Sequence, residues 1–332
     1  MWKKIDVVFK LKTPLHIGYL PFKGSVVSPT RYYVSGRNFW GAVTKRITEH
    51  LYEKPKGEHY KKIGHQIMKN LRFSYFYLYD GRVVYFPHYT DKGLKYGNNK
   101  EEITKAEFEH RFIGSIISTA IDSESSTAKY GSLHEIEFIN NKFRDENGEF
   151  KDVKIAGSIW VKKNTEIENE NKKVNFRNEG AIFNIIQELI LGGESKYGFG
   201  RVLLESVNKI KFPDVAPFKW GDDPEKITIK LGESLISHLK YDKGIKFQGD
   251  VELFTGRGFY DPKKLKDTTE ENDDICSNNS SDNKKESEEA EKPGRVISKP
   301  ECYFSPGTIL QEDIKCKLNW DGTLEECHNA PH

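Results

Sequence analysis

The sequence predicts an α+β fold in two parts, an α+β domain over residues 1–212 and a smaller β-rich domain over residues 224–326. Apolar and charged residues alternate from Lys3 to Thr13, which is the period of a half-buried strand. Two later segments, Gly36 to Tyr52 and Asn178 to Leu191, carry apolar residues at helical spacing. Beyond them only strand patterns recur, so we expect both helices in the first domain.

The composition is that of a folded protein that lies outside the membrane. With 332 residues and 36% hydrophobic content, the chain is long and apolar enough for two domains with buried cores. No apolar run reaches the length of a membrane span, and the N-terminus alternates charges where a signal peptide carries an apolar core. The four cysteines form no CxxC pair. We therefore expect a reduced, cytoplasmic protein with no membrane partner, no cofactor and no metal.

The net charge of +2 is unevenly distributed along the chain. Between Asp267 and Glu291 lie ten acidic and two basic residues, which leaves 50 basic and 40 acidic residues elsewhere. This acidic insert, residues 267–293, is rich in serine and asparagine and nearly free of apolar residues, which predicts a disordered loop. The remaining body is basic, and a basic body suits a phosphate-rich partner.

The first half of the α+β domain has clear boundaries. Its opening strand stops at Pro14, and a loop rich in glycine, proline and serine follows. Ser35 is placed as the N-cap of the first helix. An aromatic segment, Leu71 to Phe86, predicts a hairpin that turns at Asp80-Gly81. These aromatic side chains form core if the sheet is covered, and they stack on nucleobases if its face is open.

The second half of this domain completes a known order of elements. Strands are predicted at Leu133 to Ile139 and Val153 to Val161, joined through a turn at Asp145 to Gly148. The second helix, a glycine-rich loop and a strand from Arg201 to Ile210 follow. Strand, helix, two strands, helix, strand is the βαββαβ order of a ferredoxin-like (RRM-like) domain with insertions. The second domain, with predicted strands in 227–239, 245–254 and 309–318, is β-rich or a degenerate ferredoxin-like domain.

The glycine-rich loop, Leu191 to Val202, is the strongest candidate for a binding site. Its four glycines permit positive φ angles and close approach of the backbone to a ligand. Successive N–H groups, backed by Lys196 and Arg201, are suited to hold phosphate oxygens. The spacing matches neither a Walker loop nor a dinucleotide fingerprint. A glycine C-cap followed by a tight turn is the structural alternative.

Four segments resemble the repeat-associated mysterious protein (RAMP) superfamily of CRISPR systems, over residues 3 to about 210. Thr13-Pro14-Leu15-His16-Ile17-Gly18 is similar to the family's first strand and loop, and Ser35 to Ala42 to its small-residue helix start. Residues 120–133 resemble its mid-chain polar loop and following strand, and Gly192 to Arg201 its glycine-rich loop. Residues 256–258 and 303–308 are similar to segments of the larger, two-domain members.

This resemblance implies an RNA-binding subunit of a type III-like CRISPR ribonucleoprotein in antiviral defence. Such a subunit binds crRNA and, through it, target nucleic acid, beside backbone and large subunits. The two-domain shape looks most like the branch that caps the crRNA 5′ handle, and the repeating backbone subunit is the alternative. RNA contacts are implied at the glycine loop and the first helix. The candidate RNA-binding residues are Arg37, Asn38, Lys45, Arg46, Gly192, Gly193, Ser195, Lys196, Tyr197, Gly198, Gly200 and Arg201.

Two activities of the superfamily bear on catalysis. Type III backbone subunits cleave target RNA with an aspartate in the loop after the first strand, but this chain has no Asp or Glu from Pro14 to Thr30. The pre-crRNA-processing branch often uses a histidine to help activate a ribose 2′-hydroxyl. His16 has a suitable position, with Lys12 or Lys23 to stabilise phosphate charge. We therefore expect a non-catalytic subunit, with a metal-independent pre-crRNA-processing endoribonuclease as the alternative.

Overall fold

A computed structural model describes residues 1–19, 25–98, 101–176, 179–208, 221–258 and 296–327. The acidic insert, predicted as a disordered loop over residues 267–293, lies outside these ranges, and so does Lys23. None of the helices in the described part of the chain has the length and apolarity of a membrane span.

The first part of the chain, up to residue 208, contains helices and strands in its described ranges. The helices are α1 (Gly36–Leu51), α2 (Gly57–Asn70), α3 (Lys105–Phe112) and α4 (Glu179–Ile185). The strands are β1 (Trp2–Leu11), β2 (Val27–Ser28), β3 (Tyr33–Val34), β4 (Leu71–Phe73), β5 (Phe76–Tyr79), β6 (Phe86–Thr90), β7 (Gly93–Gly97), β8 (Glu102–Thr104), β9 (Ile113–Ser118), β10 (His134–Ile139), β11 (Lys142–Arg144), β12 (Phe150–Asp152), β13 (Lys154–Lys162), β14 (Glu166–Glu168), β15 (Lys173–Asn175), β16 (Glu188–Ile190) and β17 (Arg201–Val207).

The main sheet is antiparallel and has the order β16-β17-β1-β13-β5-β3, with β4 also paired to β13. We take β4 and β5 together as the second strand of the ferredoxin-like domain, β1 as its first, β13 as its third and β17 as its last. In the sheet, β17 lies beside β1, β1 beside β13, and β13 beside β4 and β5. Helix α1 precedes the second strand, and α4 precedes the last. This is the predicted ferredoxin-like βαββαβ arrangement, with β6 to β12 inserted.

One face of this sheet packs against the helices, as the alternation in β1 predicts. The residues of β1 on this face are Ile5, Val7, Phe9 and Leu11, and the predicted stripe of α1 that meets them is Phe39, Val43, Ile47 and Leu51. Full burial of such a side chain stabilises the fold by about 1.5–3 kcal/mol relative to exposure. A shift of β1 by one residue would turn this set to the other face, so burial fixes its register.

The opposite face of the sheet is covered by the second part of the chain. Its buried residues, which cluster with apolar residues between 227 and 324, are Trp2, Val8, Tyr33, Tyr75, Tyr77, Ala156 and Trp160. The Tyr77 hydroxyl donates to the Ile236 carbonyl at 2.7 Å, and Trp160 Nε1 donates to the Gly221 carbonyl at 3.1 Å. Tyr75 and Tyr77 are each 1% exposed. The aromatic segment is therefore core, and its tyrosines are not available to stack on bases.

The two predicted turns form. At the first turn the Asp80 carboxylate accepts from the amides of Arg82 and Val83, and the predicted hairpin pairs beside it through an antiparallel bridge between Tyr79 and Val84. The pairing ends there, because β6 pairs with β7 in a separate three-stranded sheet. The turn at residues 145–148 joins β11 to β12, a short hairpin that lies between β10 and β13 in the chain, so these two strands are joined through the turn as predicted.

The second predicted helix is shorter than its apolar pattern suggests. Helix α4 ends at Ile185, and Leu189 and Ile190 belong to strand β16, which pairs with β17. Leu189 and Leu191 are buried while Ile190 is 47% exposed, which is strand alternation. The prediction of a helix through Leu191 was wrong because hydrogen bonding to β17 outweighs helix propensity here.

The second part of the chain is all β in its described residues, 221–258 and 296–327. Its strands are β18 (Ile227–Ile229), β19 (Leu239–Lys240), β20 (Phe247–Gln248), β21 (Val251–Phe254), β22 (Arg257–Gly258), β23 (Val296–Ile297), β24 (Glu301–Phe304), β25 (Ile309–Leu310), β26 (Ile314–Leu318) and β27 (Leu324–Glu326). Six of them form a sheet in the order β18-β26-β27-β19-β24-β21. The prediction of a β-rich part is confirmed, although each long predicted strand is divided into shorter ones.

Candidate nucleic-acid interface

The glycine loop is tied by its backbone to the segment that follows β1. The Gly193 amide donates to the His16 carbonyl at 2.9 Å, and the Gly200 amide donates to the Pro14 carbonyl at 2.7 Å. The Leu191 amide donates to the Gly200 carbonyl at 2.9 Å, which closes the loop at its base. Gly193 and Gly200 therefore hold the loop in place, and their amides are not available to a phosphate.

Two of the glycines are required by close packing. Gly192 has φ +73° and Gly200 has φ +85°, and a Cβ at either position would overlap a carbonyl oxygen, that of His16 or of Leu191. The element before the loop is the strand β16, so the glycine C-cap alternative was wrong, while the tight turn is confirmed.

The tip of the loop, Ser195 to Tyr197, projects from this base as one 3₁₀ turn. Lys196 is exposed, and Tyr197 is 76% exposed. Among the described residues, no acceptor faces the amides of Glu194, Ser195 and Lys196. The tip thus offers an exposed cation, an accessible aromatic ring and three backbone donors, which together suit a phosphate and an adjacent base.

Arg201, at the start of β17, is held by a carboxylate. Its Nε lies 2.6 Å from Glu188 Oε1 and its Nη2 lies 3.1 Å from Glu188 Oε2, a bidentate pair across the β16–β17 ladder. The hydrogen bond from Arg201 lowers the pKa of Glu188, and the charge of Arg46 acts in the same direction. Arg46 also donates from Nε to the Ile185 carbonyl at 3.1 Å. Arg46 and Arg201 therefore lie near one another at the sheet edge, partly neutralised by Glu188.

The remaining helix candidates make contacts of their own. Arg37 donates to the Gly256 carbonyl at 3.0 Å and pairs with Asp321 at 3.3 Å, so it links the two parts of the chain. Asn38 accepts from the Ser35 hydroxyl at 2.7 Å, which replaces the predicted side-chain cap. Lys45 is exposed and lies 4.0 Å from Glu49. Contact of Arg37, Asn38 and Lys45 with RNA stays a prediction.

His16 lies under the glycine loop and is only 5% exposed. Its Nδ1 lies 2.7 Å from the Glu137 carbonyl, so Nδ1 carries the proton in the neutral ring and Nε2 is the acceptor. A Cβ on Gly18 would lie 3.2 Å from Nε2, and one on Gly193 would lie 3.3 Å from Cδ2. Both backbones thus press on the ring, which leaves little room for a ribose beside it.

A neighbouring hairpin was not singled out from the sequence. Strands β9 and β10 pair in register, and their outer residues include Ile116 and Ile117, which are 48% and 65% exposed. The hairpin reaches the glycine loop through an edge-to-face contact of Phe138 with Phe199, whose ring centroids are 5.3 Å apart. The signal was present as the adjacent apolar residues Ile116 and Ile117, but a buried strand also carries adjacent apolar residues.

The described residues contain no cluster of three or more His, Cys, Asp or Glu side chains that could hold a metal ion.

Comparison with known proteins gives a likeness in structure only. No protein-family model matches the chain, and no curated protein matches it in sequence. A chain of the cryo-EM structure of type III-B Cmr-beta bound to cognate target RNA and AMPPnP aligns with a TM-score of 0.47 and 12% identity, over 93% of this chain and 86% of that one. A chain of Cmr-beta bound to cognate target RNA aligns with a TM-score of 0.39 and 11% identity, over 61% of this chain and 96% of that one. A chain of apo Cmr-beta aligns with a TM-score of 0.37 and 12% identity, again over 61% and 96%. At these identities and scores the likeness assigns no function.

Proposed function

We propose that the protein is a non-catalytic RNA-binding subunit of a type III-like CRISPR ribonucleoprotein, and that it binds crRNA at the 5′ handle. The observation that carries this proposal is the exposed tip at residues 195–197, fixed by backbone hydrogen bonds to the segment after β1. Both segments are among the four whose sequences resemble the RAMP superfamily, and the resemblance implies RNA contact at the glycine loop.

The chemistry of the tip favours recognition of the RNA backbone. Lys196 supplies a charge for a phosphate, the outward amides supply donors, and the Tyr197 ring supplies a stacking surface that accepts any base. The tip projects into solvent, so it suits a strand that passes across it.

The arrangement of the two parts supports the handle-capping role within this proposal. The second part covers the sheet face that an isolated ferredoxin-like domain leaves open, and Arg37 links both parts near the start of α1. Such a two-part body resembles the handle-capping branch more than the single-domain backbone subunits. Other effector subunits, both backbone and large, would then be its protein partners.

Catalysis has less support than binding. The segment from Pro14 to Thr30 has no carboxylate of its own. His16 is buried and its Nδ1 is bonded to a main-chain carbonyl. The geometry therefore favours a structural histidine that supports the glycine loop.

The test compares Lys196→Ala with Lys243→Ala, an exposed lysine of the second part, in RNA binding measured by fluorescence anisotropy over a range of salt. Loss of one phosphate contact should weaken binding in Lys196→Ala and lower the slope of log affinity against log salt by about 1. Tyr197→Ala should cost about 1–3 kcal/mol of binding free energy with little change in slope. If Lys196→Ala binds like Lys243→Ala, the loop is not the RNA site.

A further inference from the structure

A basic hollow lies at the end of the main sheet opposite the glycine loop. Its volume is about 650 Å³, and its lining includes His65, Lys69 and Asn70 from α2, Arg72 from β4, Lys162 at the end of β13, and Glu225. Trp2, at the start of β1, lies beside the Arg72 and Lys162 side chains, whereas the other end of β1 adjoins the glycine loop. A ten-residue strand spans about 33 Å, so the two sites are separate.

The hollow is walled by both parts of the chain. Arg72 Nε donates to the Leu318 carbonyl at 3.1 Å, and Glu225 lies just before β18. Junctions between domains are common places for ligand sites, and 650 Å³ falls within the usual range of about 300–1,000 Å³. The hollow is larger than a lone inorganic anion needs, so its ligand would carry the anionic group on a larger molecule.

The charges in this hollow are unbalanced. Among the described residues, no carboxylate lies within 4.0 Å of the charged atoms of Lys69, Arg72 or Lys162. The Arg72 guanidinium lies 5.0 Å from the Trp2 ring and the Lys162 ammonium lies 6.0 Å from the same ring. Two cations thus lie beside one indole, and Glu225 is the carboxylate that lines the same hollow.

Capping of α2 accounts for only one of these cations. Arg72 Nη1 donates to the carbonyls of Met68 at 2.6 Å and Leu71 at 2.9 Å, where a cation is favoured at a helix C-terminus. Burial lowers the pKa of Arg72, and the negative charges of Glu225 and Asp321 act against this shift. Lys69 and Lys162 take no part in this cap, and both are exposed toward the hollow.

We propose that this hollow is a second anion site, which binds a phosphate group carried by a free nucleotide or by a nucleic-acid strand. Phosphate oxygens accept several charge-assisted hydrogen bonds at once, which matches Lys69 and Lys162 at one recess. The Asn70 side-chain amide also lines the recess, where its Nδ2 donates to the Gln66 carbonyl at 2.9 Å. Trp2 is only 8% exposed and is flanked by the two cations, so its face is closed to a base. The site therefore reads phosphate charge and not base sequence.

The test uses the full chain with two double variants of equal charge change, Lys69→Ala/Lys162→Ala and the control Lys243→Ala/Lys315→Ala. ADP binding is measured by calorimetry, and binding of a short single-stranded oligouridylate is measured by anisotropy across a range of salt. Loss of two charge-assisted contacts should lower the affinity for at least one probe by about tenfold relative to the control. For the oligonucleotide, the salt slope should fall by about 1.4, since each phosphate contact on a single strand contributes about 0.7.

The two probes distinguish the source of the phosphate. Weaker binding of ADP identifies a free-nucleotide site, and weaker binding of oligouridylate alone identifies a strand-binding site. Equal affinities of the two double variants for both probes, or no binding of either probe to the wild-type protein, would overturn the proposal. The glycine loop is intact in both variants, so failure here leaves the loop's role to its own test.

Discussion

At the scale of single residues, Gly198 and Gly200 share a φ of +85° and differ in their surroundings. A Cβ on Gly198 meets no atom within 4 Å, whereas one on Gly200 overlaps the Leu191 carbonyl. The sequence predicts that this loop needs glycines, but it does not show which positions cannot carry a side chain. The overlap at Gly200 arises because Leu191 follows strand β16, and the local sequence pattern does not reveal that strand. Likewise, the sequence places Lys196 in the loop, and only the structure shows that it lies at the tip.

The substitution Gly200→Ala should destabilise the protein more than Gly198→Ala. Both variants place a Cβ in the left-handed region, which costs about 1–2 kcal/mol. Only Gly200→Ala must also displace the backbone at Leu191. Its loss in free energy of unfolding should therefore exceed that of Gly198→Ala by about 1 kcal/mol. Urea unfolding of the two variants measures the difference. Equal losses of unfolding free energy would show that the backbone at Leu191 can shift to make room for the Cβ without further loss of stability.

At the scale of elements, the strand β16 explains the ion pair between Glu188 and Arg201 at the edge of the main sheet beside the glycine loop. Apolar residues from 182 to 191 match a helix until β17 offers a hydrogen-bonding partner, so the sequence alone gives the wrong element there. Once β16 is a strand, Glu188 pairs with Leu203 and lies diagonally across the ladder from Arg201, within reach of its guanidinium. The sequence does predict α1, whose apolar stripe is long and has helical spacing only.

Glu188→Gln should strengthen RNA binding, because it releases Arg201 and removes a negative charge near Arg46. The pair is about half exposed, so the gain should be about 0.5–1 kcal/mol, or roughly twofold to fivefold in affinity at low salt. Glu325→Gln, which removes the partner of Lys317 in the second part of the chain at a similar exposure, is the matched control. Unchanged affinity in Glu188→Gln would mean that Arg201 does not contact RNA.

At the scale of the whole molecule, a buried polar network joins the two parts. Arg31 pairs with Glu252 at 2.9 Å, and Glu252 Oε1 lies 2.6 Å from His238 Nε2. His238 Nδ1 lies 2.6 Å from the Tyr75 hydroxyl, so a neutral ring donates to Glu252 and accepts from Tyr75. The sequence predicts two parts and a β-rich second one. It does not predict that they share a core, since the residues of this network are far apart along the chain.

This network should make the protein sensitive to acid. Burial lowers the pKa of His238 from 6.5 to about 4, against the attraction of Glu252. Burial alone would raise the pKa of Glu252, but the hydrogen bond from His238 and the charge of Arg31 hold it at about 2. An unfolded histidine takes up its proton near pH 6.5, while the folded one does so near pH 4. The contribution of the neutral His238 ring to the free energy of unfolding is therefore fully present above pH 6.5. It is lost progressively as the pH falls toward 4.

Urea unfolding between pH 7.5 and 4.5 should show this loss as a slope of up to about 1.4 kcal/mol per pH unit from His238. His238→Gln, which does not titrate, should be less stable at neutral pH and should lack this part of the slope. His134→Gln, at an exposed position, should keep it. A slope unchanged in His238→Gln would show that the interface does not hold the ring neutral.

RNA binding without cleavage is the central claim, and one gel tests it. The purified protein is incubated with a labelled CRISPR repeat RNA, without metal and then with magnesium, and scored for both shift and cutting. The proposed role predicts a shift that weakens with salt and RNA that stays intact in both conditions. Site-specific cutting that disappears in His16→Ala, or the absence of any shift, would contradict it.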